Sequence, residues 1–364
     1  MKLLDRLVLL ELVPMFFAGV AIGSSVLIVG GPVLSATQYI SKGVPWPIVL
    51  RILGFSLPPT LALTFPMGVL LATLLGFGRL SSDSESVAVN AGGVPFIRIA
   101  APAIVLGLIA SLFGYVINDR IAAYATYQTA QIKKNLTSYL GQSSQSFDFS
   151  VPASGKDYTA YVVHVEKGYD AQRQELKNVT IDVMGDDGRP TAVVHSDYAG
   201  YAGGNRWSMI NAEINTLGPN SYVELRNPAT YDLLQTPAQI EFLERDPDTL
   251  SFRDLSLQIA ALKARGTGDA ATIRSAEVKL WEKVALPFAS LVFAVVGAPI
   301  GLRRQRSAKG GWGLAIIIIF GYYVLFTVLT SVASAGHCPA FLAAFLPNFI
   351  GLGIGAYLSY RASL

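Results

Sequence analysis

The chain has 364 residues, of which 52% are hydrophobic and only 15% are charged, a balance typical of membrane proteins. The formal net charge of +3 is too small to indicate a nucleic-acid partner, which would require a concentrated basic surface. The chain has a single cysteine, Cys338, and therefore cannot form an intramolecular disulfide. Neither a CxxC motif nor a cluster of cysteines and histidines lies beside it to indicate a metal site.

Six uncharged segments recur along the chain, each close to the roughly 20 residues that a helix needs to cross a bilayer. They are residues 12–36, 52–78, 99–117, 284–302, 311–335 and 338–360. The first is longer than the apolar region of a signal peptide, about 7–15 residues, and is interpreted as an uncleaved span. We therefore expect an α-helical membrane protein with six transmembrane helices, arranged as three before and three after a long insert.

Lysine and arginine are concentrated in the short connections on one side of these spans. With the N-terminus inside, the cytoplasmic side receives Lys2, Arg6, Arg79, Arg98, Arg303, Arg304, Arg306, Lys309 and Arg361. The opposite short loops hold chiefly Lys42 and Arg51. This bias predicts cytoplasmic N- and C-termini in the bacterial inner membrane, with the insert translocated to the periplasm.

The insert has the alternating pattern of β-strands. Residues 161–166 and 179–184 alternate apolar and polar side chains, and a further strand fits residues 207–214. Residues 185–188 (GDDG) and 203–205 (GGN) favour turns that lead one strand back beside the next. An all-β, jelly-roll-like antiparallel domain is therefore expected, because a βαβ fold would need helices between the strands.

These patterns divide the chain into four parts. Residues 1–117 hold the first three spans, 118–250 the periplasmic β domain with its lead-in, 251–282 a helical linker, and 283–364 the last three spans. The linker begins at a capping-box sequence, residues 251–254 (SFRD).

Sequence signatures of catalysis are lacking. There is no GxSxG, HExxH or Walker A sequence, and the three histidines are far apart along the chain with no obvious acidic partner. The spans contain essentially no ionisable side chain that could act as acid, base or nucleophile. We therefore expect neither an enzyme nor a cofactor in this chain.

The connection after the second span allows two interpretations. Residues 80–92 can form a short capped helix, in which Asp83, Ser84 and Glu85 favour the positive end of the helix dipole. Such a helix could simply turn the chain, which spacing alone favours, or could dock into a cytoplasmic motor subunit as a coupling helix.

Basic residues also lie at the opposite membrane boundary. They are Lys42, Arg51, Arg120, Lys133 and Lys134. Cations at this depth could hold the phosphates of a lipid headgroup through charge-assisted hydrogen bonds. Ordinary snorkelling to the interface explains each of them equally well.

Several segments in both halves resemble one known family. They are residues 66–74 (PMGVLLATL), 77–85 (FGRLSSDSE), 91–95 (AGGVP), 286–293 (LPFASLVF), 297–303 (GAPIGLR) and 346–348 (LPN). The chain is similar in these segments to the LptF/LptG (YjgP/YjgQ) permeases of the lipopolysaccharide export transporter. The resemblance covers nearly the whole chain, although the β domain matches in position and pattern more than in residues.

The resemblance implies a permease subunit of an ABC exporter that extracts lipopolysaccharide, or a similar glycolipid, from the inner membrane. Its implied partners are a second LptF/LptG-type permease, identical or homologous, an LptB-type ATPase dimer that binds ATP and Mg, and LptC/LptA-type periplasmic jelly-roll proteins. Glu85 matches the acidic residue of the family's coupling helix, with Arg79, Asp83 and Ser84 around it. Lys42 is the closest match to the family's basic residues that contact lipopolysaccharide phosphates.

The inward residues of the β domain could receive the lipid tails. They include Val163, Val179, Ile181 and Val183, although any sandwich core shows the same alternation. The rival function is a membrane scaffold that does not transport lipid, whose β domain binds another envelope protein.

Overall fold

The computed structural model describes residues 3–82, 95–139, 147–152, 159–170, 173–185, 189–203, 206–217, 222–227, 229–232, 242, 245–265, 270–302 and 308–363. Within these residues, six helices are long and apolar enough to cross a membrane, and an antiparallel β-sheet region lies between the third and the fourth. The expected fold class is therefore confirmed.

The chain forms two compact units. The first consists of Met1–Ala130, Pro247–Phe252 and Arg274–Leu364 and contains the six spans. The second consists of Gln131–Asp246 and Arg253–Ile273 and contains the β-strands.

The first three spans are longer than the uncharged segments that predict them. Their helices are α1 (Leu3–Ile28), α2 (Leu34–Ser41), α3 (Trp46–Ser82), α4 (Phe96–Val116) and α5 (Ala123–Tyr139). Two π-helical turns, Val29–Val33 and Ile117–Ala122, join α1 to α2 and α4 to α5 without a break. Charged and amphipathic side chains can extend a membrane helix into water, so the uncharged run defines only its central part.

After the β region, the described helices are α6 (Phe252–Arg265), α7 (Ala270–Leu302), α8 (Ala308–Ser334) and α9 (Ala340–Ser363). A 3-10 turn, Pro247–Thr249, precedes α6. Helices α7, α8 and α9 contain the fourth, fifth and sixth spans.

Small residues set the contacts between the spans. A Cβ added at Gly301 of α7 would lie 2.5 Å from the Thr73 carbonyl oxygen of α3, and one at Gly107 of α4 would lie 2.5 Å from the Cβ of Ala294. Lipid is as apolar as a leucine side chain, so burial of apolar surface does not drive these contacts. Van der Waals packing drives them instead, and small residues allow the backbones to approach closely enough for it. Helix α7 is therefore the element against which α3 and α4 both pack.

The β unit contains nine described strands, all paired antiparallel. They are β1 (Phe147–Pro152), β2 (Thr159–Val165), β3 (Tyr169–Asp170), β4 (Glu175–Met184), β5 (Pro190–Gly203), β6 (Arg206–Ile210), β7 (Ala212–Thr216), β8 (Val223–Arg226) and β9 (Ala229–Asp232). The main order is β1-β2-β4-β5-β6-β9; β3 pairs with β4, β7 with β5, and β8 with β7. The long strand β5 therefore carries β6 along one part of its length and β7 along another.

The single strand predicted over residues 207–214 is wrong. Asn211 adopts a φ of 55° and separates β6 from β7, so the two pair with different parts of β5. Asparagine tolerates this left-handed conformation better than most residues do, and the alternation pattern contains no signal for it.

One face of the sheet forms an apolar core. Its buried members are Val163, Val165, Leu176, Val179, Ile181, Val194, Ala199, Trp207, Met209, Ala212 and Ala229. The largest, Trp207, is fully buried and packs edge-on against Tyr201 with ring centroids 5.4 Å apart. Full burial of a valine- or isoleucine-sized side chain contributes about 1.5–3 kcal/mol, so here burial does drive packing.

Replacing Gly301 by alanine tests the packing of α7 on α3. The new methyl group would meet backbone, which cannot rotate away, and overpacking of this kind costs about 1–3 kcal/mol. We expect Gly301→Ala to lower the thermal unfolding midpoint of the chain in detergent.

The matched control is Gly321→Ala in α8, where an added Cβ meets nothing within 4 Å. This control should be neutral or slightly stabilising, because alanine favours a helix over glycine by about 1 kcal/mol. Equal midpoints for the two variants would contradict the close contact.

Candidate functional site

Arg79 lies in the last turn of α3, at the end of the helices where the chain begins. Its Nη1 donates to Oε1 of Glu11 on α1 over 3.1 Å. Of the four predicted coupling residues, Arg79 is the one inside the described range; Asp83, Ser84 and Glu85 lie outside it. The structure therefore places the start of the predicted coupling segment beside α1.

A second ion pair lies on the far side of the same connection. Arg98, near the start of α4, donates from Nη2 to Oδ2 of Asp5 over 3.1 Å. Partly exposed pairs of this kind each contribute only about 0–1 kcal/mol, so they orient helix ends more than they stabilise the fold. Sequence reasoning missed Glu11 and Asp5; the available signal was a carboxylate just outside an uncharged span.

The end of α3 also contacts α7. Ser81 Oγ donates to the carbonyl oxygen of Leu302, the last residue of α7, over 3.3 Å. Carbonyls in the last turn of a helix have no partner within the helix, and this hydroxyl satisfies one of them. The last turn of α3 is thus attached to both α1 and α7.

The predicted headgroup cations lie towards the other end of the helices. Lys42 follows the end of α2, Arg51 lies in the second turn of α3, and Arg120 is in the π-helical turn after α4; all three are exposed. Lys133 is exposed in α5, and Lys134 is in the same helix with its side chain outside the described part. The positions suit contact with headgroups, and whether these residues bind lipid stays a prediction.

Asn118 and Asp119, the two residues that precede Arg120, form hydrogen bonds with backbone groups at the same end of the helices. Pro287 has no N–H and therefore cannot donate the usual helical hydrogen bond to the carbonyl of Lys283. Asn118 Nδ2 donates to that carbonyl oxygen over 3.2 Å. Asp119 Oδ1 accepts the N–H of Phe252, the first residue of α6, over 2.6 Å. Span three therefore supplies hydrogen-bond partners to the Phe252 N–H and to the Lys283 carbonyl.

The structure brings the four predicted tail-contacting residues to one face of the sheet. Val163 pairs with Ile181 across β2 and β4, and Val183 lies opposite Tyr161. Val163, Val179 and Ile181 are fully buried in the apolar core, and Val183 is half-buried against it. Their position fits both a sandwich core and a lining for lipid tails, so the lining role stays a prediction.

Two tyrosines lie beside this face. The rings of Tyr161 and Tyr231 pack edge-on with centroids 6.0 Å apart. Burial raises the pKa of the Tyr231 hydroxyl further above its usual range, which favours the neutral form that suits an apolar surrounding.

The expectation that the histidines lack an acidic partner is wrong for His164. Its Nε2 lies 3.4 Å from Oδ2 of Asp182. His195 Nδ1 lies 3.1 Å from the hydroxyl of Thr180. The strand register places all four on the polar face of β2, β4 and β5, which the spacing along the chain does not reveal. No group of three or more metal-binding side chains occurs among the residues that the structure describes.

A cavity of about 540 Å³ lies between α3, α7 and α8. One part of its wall carries Lys279 and Glu282, whose Nζ and Oε2 are 3.1 Å apart. The rest is lined mainly by apolar and hydroxyl side chains, among them Leu63, Leu286, Tyr323, Phe326, Thr327 and Ser331. The cavity thus has a charged part and an apolar part. No sequence pattern indicates it, because its walls come from helices that are far apart along the chain.

The sequence matches the model of one protein family over almost the whole chain. The family model for lipopolysaccharide export system permeases LptF/LptG matches residues 6–361. The chain belongs to this LptF/LptG family.

Curated relatives agree with the family. The chain is 24% identical to the lipopolysaccharide export system permease protein LptG of Escherichia coli strain K12 over 315 residues, 85% of this chain and 84% of that protein. It is 21% identical to LptG of Haemophilus influenzae over 303 residues, 82% of this chain and 81% of that protein. This LptF/LptG-family chain is therefore a lipopolysaccharide export permease of the Lpt system and a multi-pass inner-membrane protein, which confirms the family resemblance found in the sequence.

The hydrogen bond from Asn118 in this permease can be tested with a pair of substitutions. Asn118→Leu removes this donor to the Lys283 carbonyl, and the loss of a hydrogen-bond partner costs about 1–3 kcal/mol for a buried group. In a Pro287→Ala background, position 287 gains an N–H that can bond the same carbonyl. We expect Asn118→Leu to lower the unfolding midpoint of the detergent-purified chain strongly in the wild-type background and weakly in the Pro287→Ala background. The same decrease in both backgrounds would refute the assignment of this bond.

Proposed function

We propose that this chain is one of two permease subunits of an ABC exporter that extracts lipopolysaccharide, or a similar glycolipid, from the inner membrane. The observation that supports this most is a β sheet with an apolar face, inserted after the third of six spans in a chain matched over residues 6–361 by the LptF/LptG family. The second subunit is a homologue or an identical copy. The chain itself acts as a permease component and carries out no covalent chemistry.

ATP is proposed to be hydrolysed on an LptB-type ATPase dimer, which binds ATP and Mg, because this sequence has no Walker A sequence. The connection that contains Asp83, Ser84 and Glu85 would dock on that ATPase, with Arg79 at its start. The charge bias of the loops supports cytoplasmic termini and a periplasmic β domain. In this orientation the connection after α3 faces the cytoplasm, where ATP is available.

Lipid would enter from the outer leaflet of the inner membrane. Its phosphates would meet the exposed cations Lys42, Arg51 and Arg120, which lie at the proposed periplasmic end of the spans. Such contacts are strong where water is scarce, and several cations together favour the multiply phosphorylated headgroup of lipopolysaccharide.

The acyl chains would then pass along the apolar face of the sheet towards LptC/LptA-type jelly-roll proteins. Val163, Val179, Ile181 and Val183 share that face. Strand edges with unpaired backbone groups can extend such a sheet by pairing with a partner's strand.

Photocrosslinking tests the lipid path with two positions on neighbouring strands. Val183 is half-buried on the apolar face, and Val162 is half-buried on the opposite face. With a photoreactive phenylalanine at either position, we expect ATP-dependent lipopolysaccharide adducts at 183 and only background at 162. Equal labelling, or no labelling at 183 in a complex that still exports, would contradict a path through the sheet.

A further inference from the structure

Helix α1 is linked by ion pairs to both helices that flank residues 83–94. Glu11 Oε1 contacts Arg79 Nη1 in the last turn of α3, and Asp5 Oδ2 contacts Arg98 Nη2 in the first turn of α4, each over 3.1 Å. The connection from 83 to 94 itself lies outside the described residues. Arg79 lies in the helix before this connection, and Arg98 lies in the helix after it.

The two carboxylates point in different directions from α1. They are six residues apart, which at about 100° per residue separates them by roughly 120° around the helix and about 9 Å along it. One carboxylate can therefore reach α3 while the other reaches α4. Two anchors on different faces resist rotation of α1 about its axis, which a single ion pair does not.

Close packing connects α1 to α3 along the next turns. A Cβ added at Gly76 of α3 would lie 2.8 Å from Cδ2 of Leu12, and one at Gly19 of α1 would lie 2.9 Å from the Cα of Gly68. Interiors packed this closely transmit displacement rather than absorb it. A movement of the last turn of α3 is therefore transmitted to α1.

Helix α1 also reaches the other end of the spans. It continues through the π-helical turn into α2 and ends at Ser41, one residue before Lys42. From Glu11 to Lys42 this path is about 46 Å at 1.5 Å per residue, more than the roughly 30 Å of the hydrocarbon layer. The ion pairs and the predicted headgroup cation are thus at opposite ends of one continuous helix.

We propose that Glu11 and Asp5 are positioning residues for transport, which clamp α1 to both flanks of the 83–94 connection so that movement there reaches the lipid-facing end of α1. This inference rests on the proposed function, because it presumes that the connection receives the motion of an ATPase.

The test uses the full complex of this chain with its ATPase and second permease in proteoliposomes, with purified lipopolysaccharide as the probe. The two rates to compare are ATP hydrolysed and lipopolysaccharide released to a soluble jelly-roll acceptor. Asp5→Asn combined with Glu11→Gln should assemble normally, hydrolyse ATP, and release about two- to fivefold less lipid per ATP, the range by which exposed ion pairs shift an equilibrium.

Charge reversal separates positioning from a general structural role. The pair Asp5→Arg and Arg98→Asp should restore much of the lipid released per ATP that Asp5→Arg alone loses. The matched control is Arg361→Gln, a basic residue in the last turn of α9 that lies over the Tyr357 ring, and it should leave the ratio unchanged.

The outcomes are distinct. If the wild-type complex hydrolyses ATP but releases no lipopolysaccharide, the proposed function itself is wrong. A wild-type complex that exports, with an unchanged ratio in the Asp5→Asn/Glu11→Gln variant, overturns the positioning role alone. A reduced ratio that charge reversal does not restore also overturns it, because the loss would then come from something other than the ion pair.

Discussion

Backbone amides and carbonyls inside the hydrocarbon layer must find partners within the protein, since neither lipid nor water can supply them there. This constraint explains why the described spans are helical and why Pro287, inside one of them, has a compensating neighbour. The Lys283 carbonyl, to which Pro287 cannot donate, accepts from Asn118 on another span. The open edges of the β sheet cannot meet the same requirement in lipid, so the sheet belongs in water.

The same requirement places the few buried polar side chains of the spans. Asn348 is fully buried; its Nδ2 donates to the Ala285 carbonyl over 2.9 Å, and its Oδ1 accepts from Tyr322 over 3.0 Å. Tyr323 donates to the Leu63 carbonyl in the turn before Pro66. These bonds join α8, α9 and α3 around α7, while glycines allow the close approaches. The membrane unit thus combines side-chain hydrogen bonds to backbone carbonyls with small residues at close helix contacts.

Local sequence pattern predicts much of this fold. Uncharged runs predict all six spans, because the cost of a charge in lipid is imposed on every residue of the run. Alternation predicts the inward face of β2 and β4. It fails at Leu176, which is buried although it is out of phase with Val179; Asn178 between them adopts a φ of 53°, which departs from the extended backbone that strict alternation assumes.

Long-range contacts lie beyond such patterns. The bond between Arg79 and Glu11 joins residues 68 positions apart, and that between Arg98 and Asp5 joins residues 93 apart. No periodicity links them, and the cavity between α3, α7 and α8 likewise depends on the packing of distant helices. The resemblance to LptF/LptG permeases supplied the function, whereas the residues that position α1 could be found only in three dimensions.

Affinity purification from membranes in mild detergent tests the central claim, that this chain exports lipopolysaccharide together with a partner ATPase. Mass spectrometry would identify the co-purifying proteins and the extracted lipid. We predict an ABC ATPase, a second permease chain and a phosphorylated glycolipid. Recovery of the chain alone, or only with periplasmic proteins, under conditions that preserve a known ABC complex would contradict the account and favour a membrane scaffold.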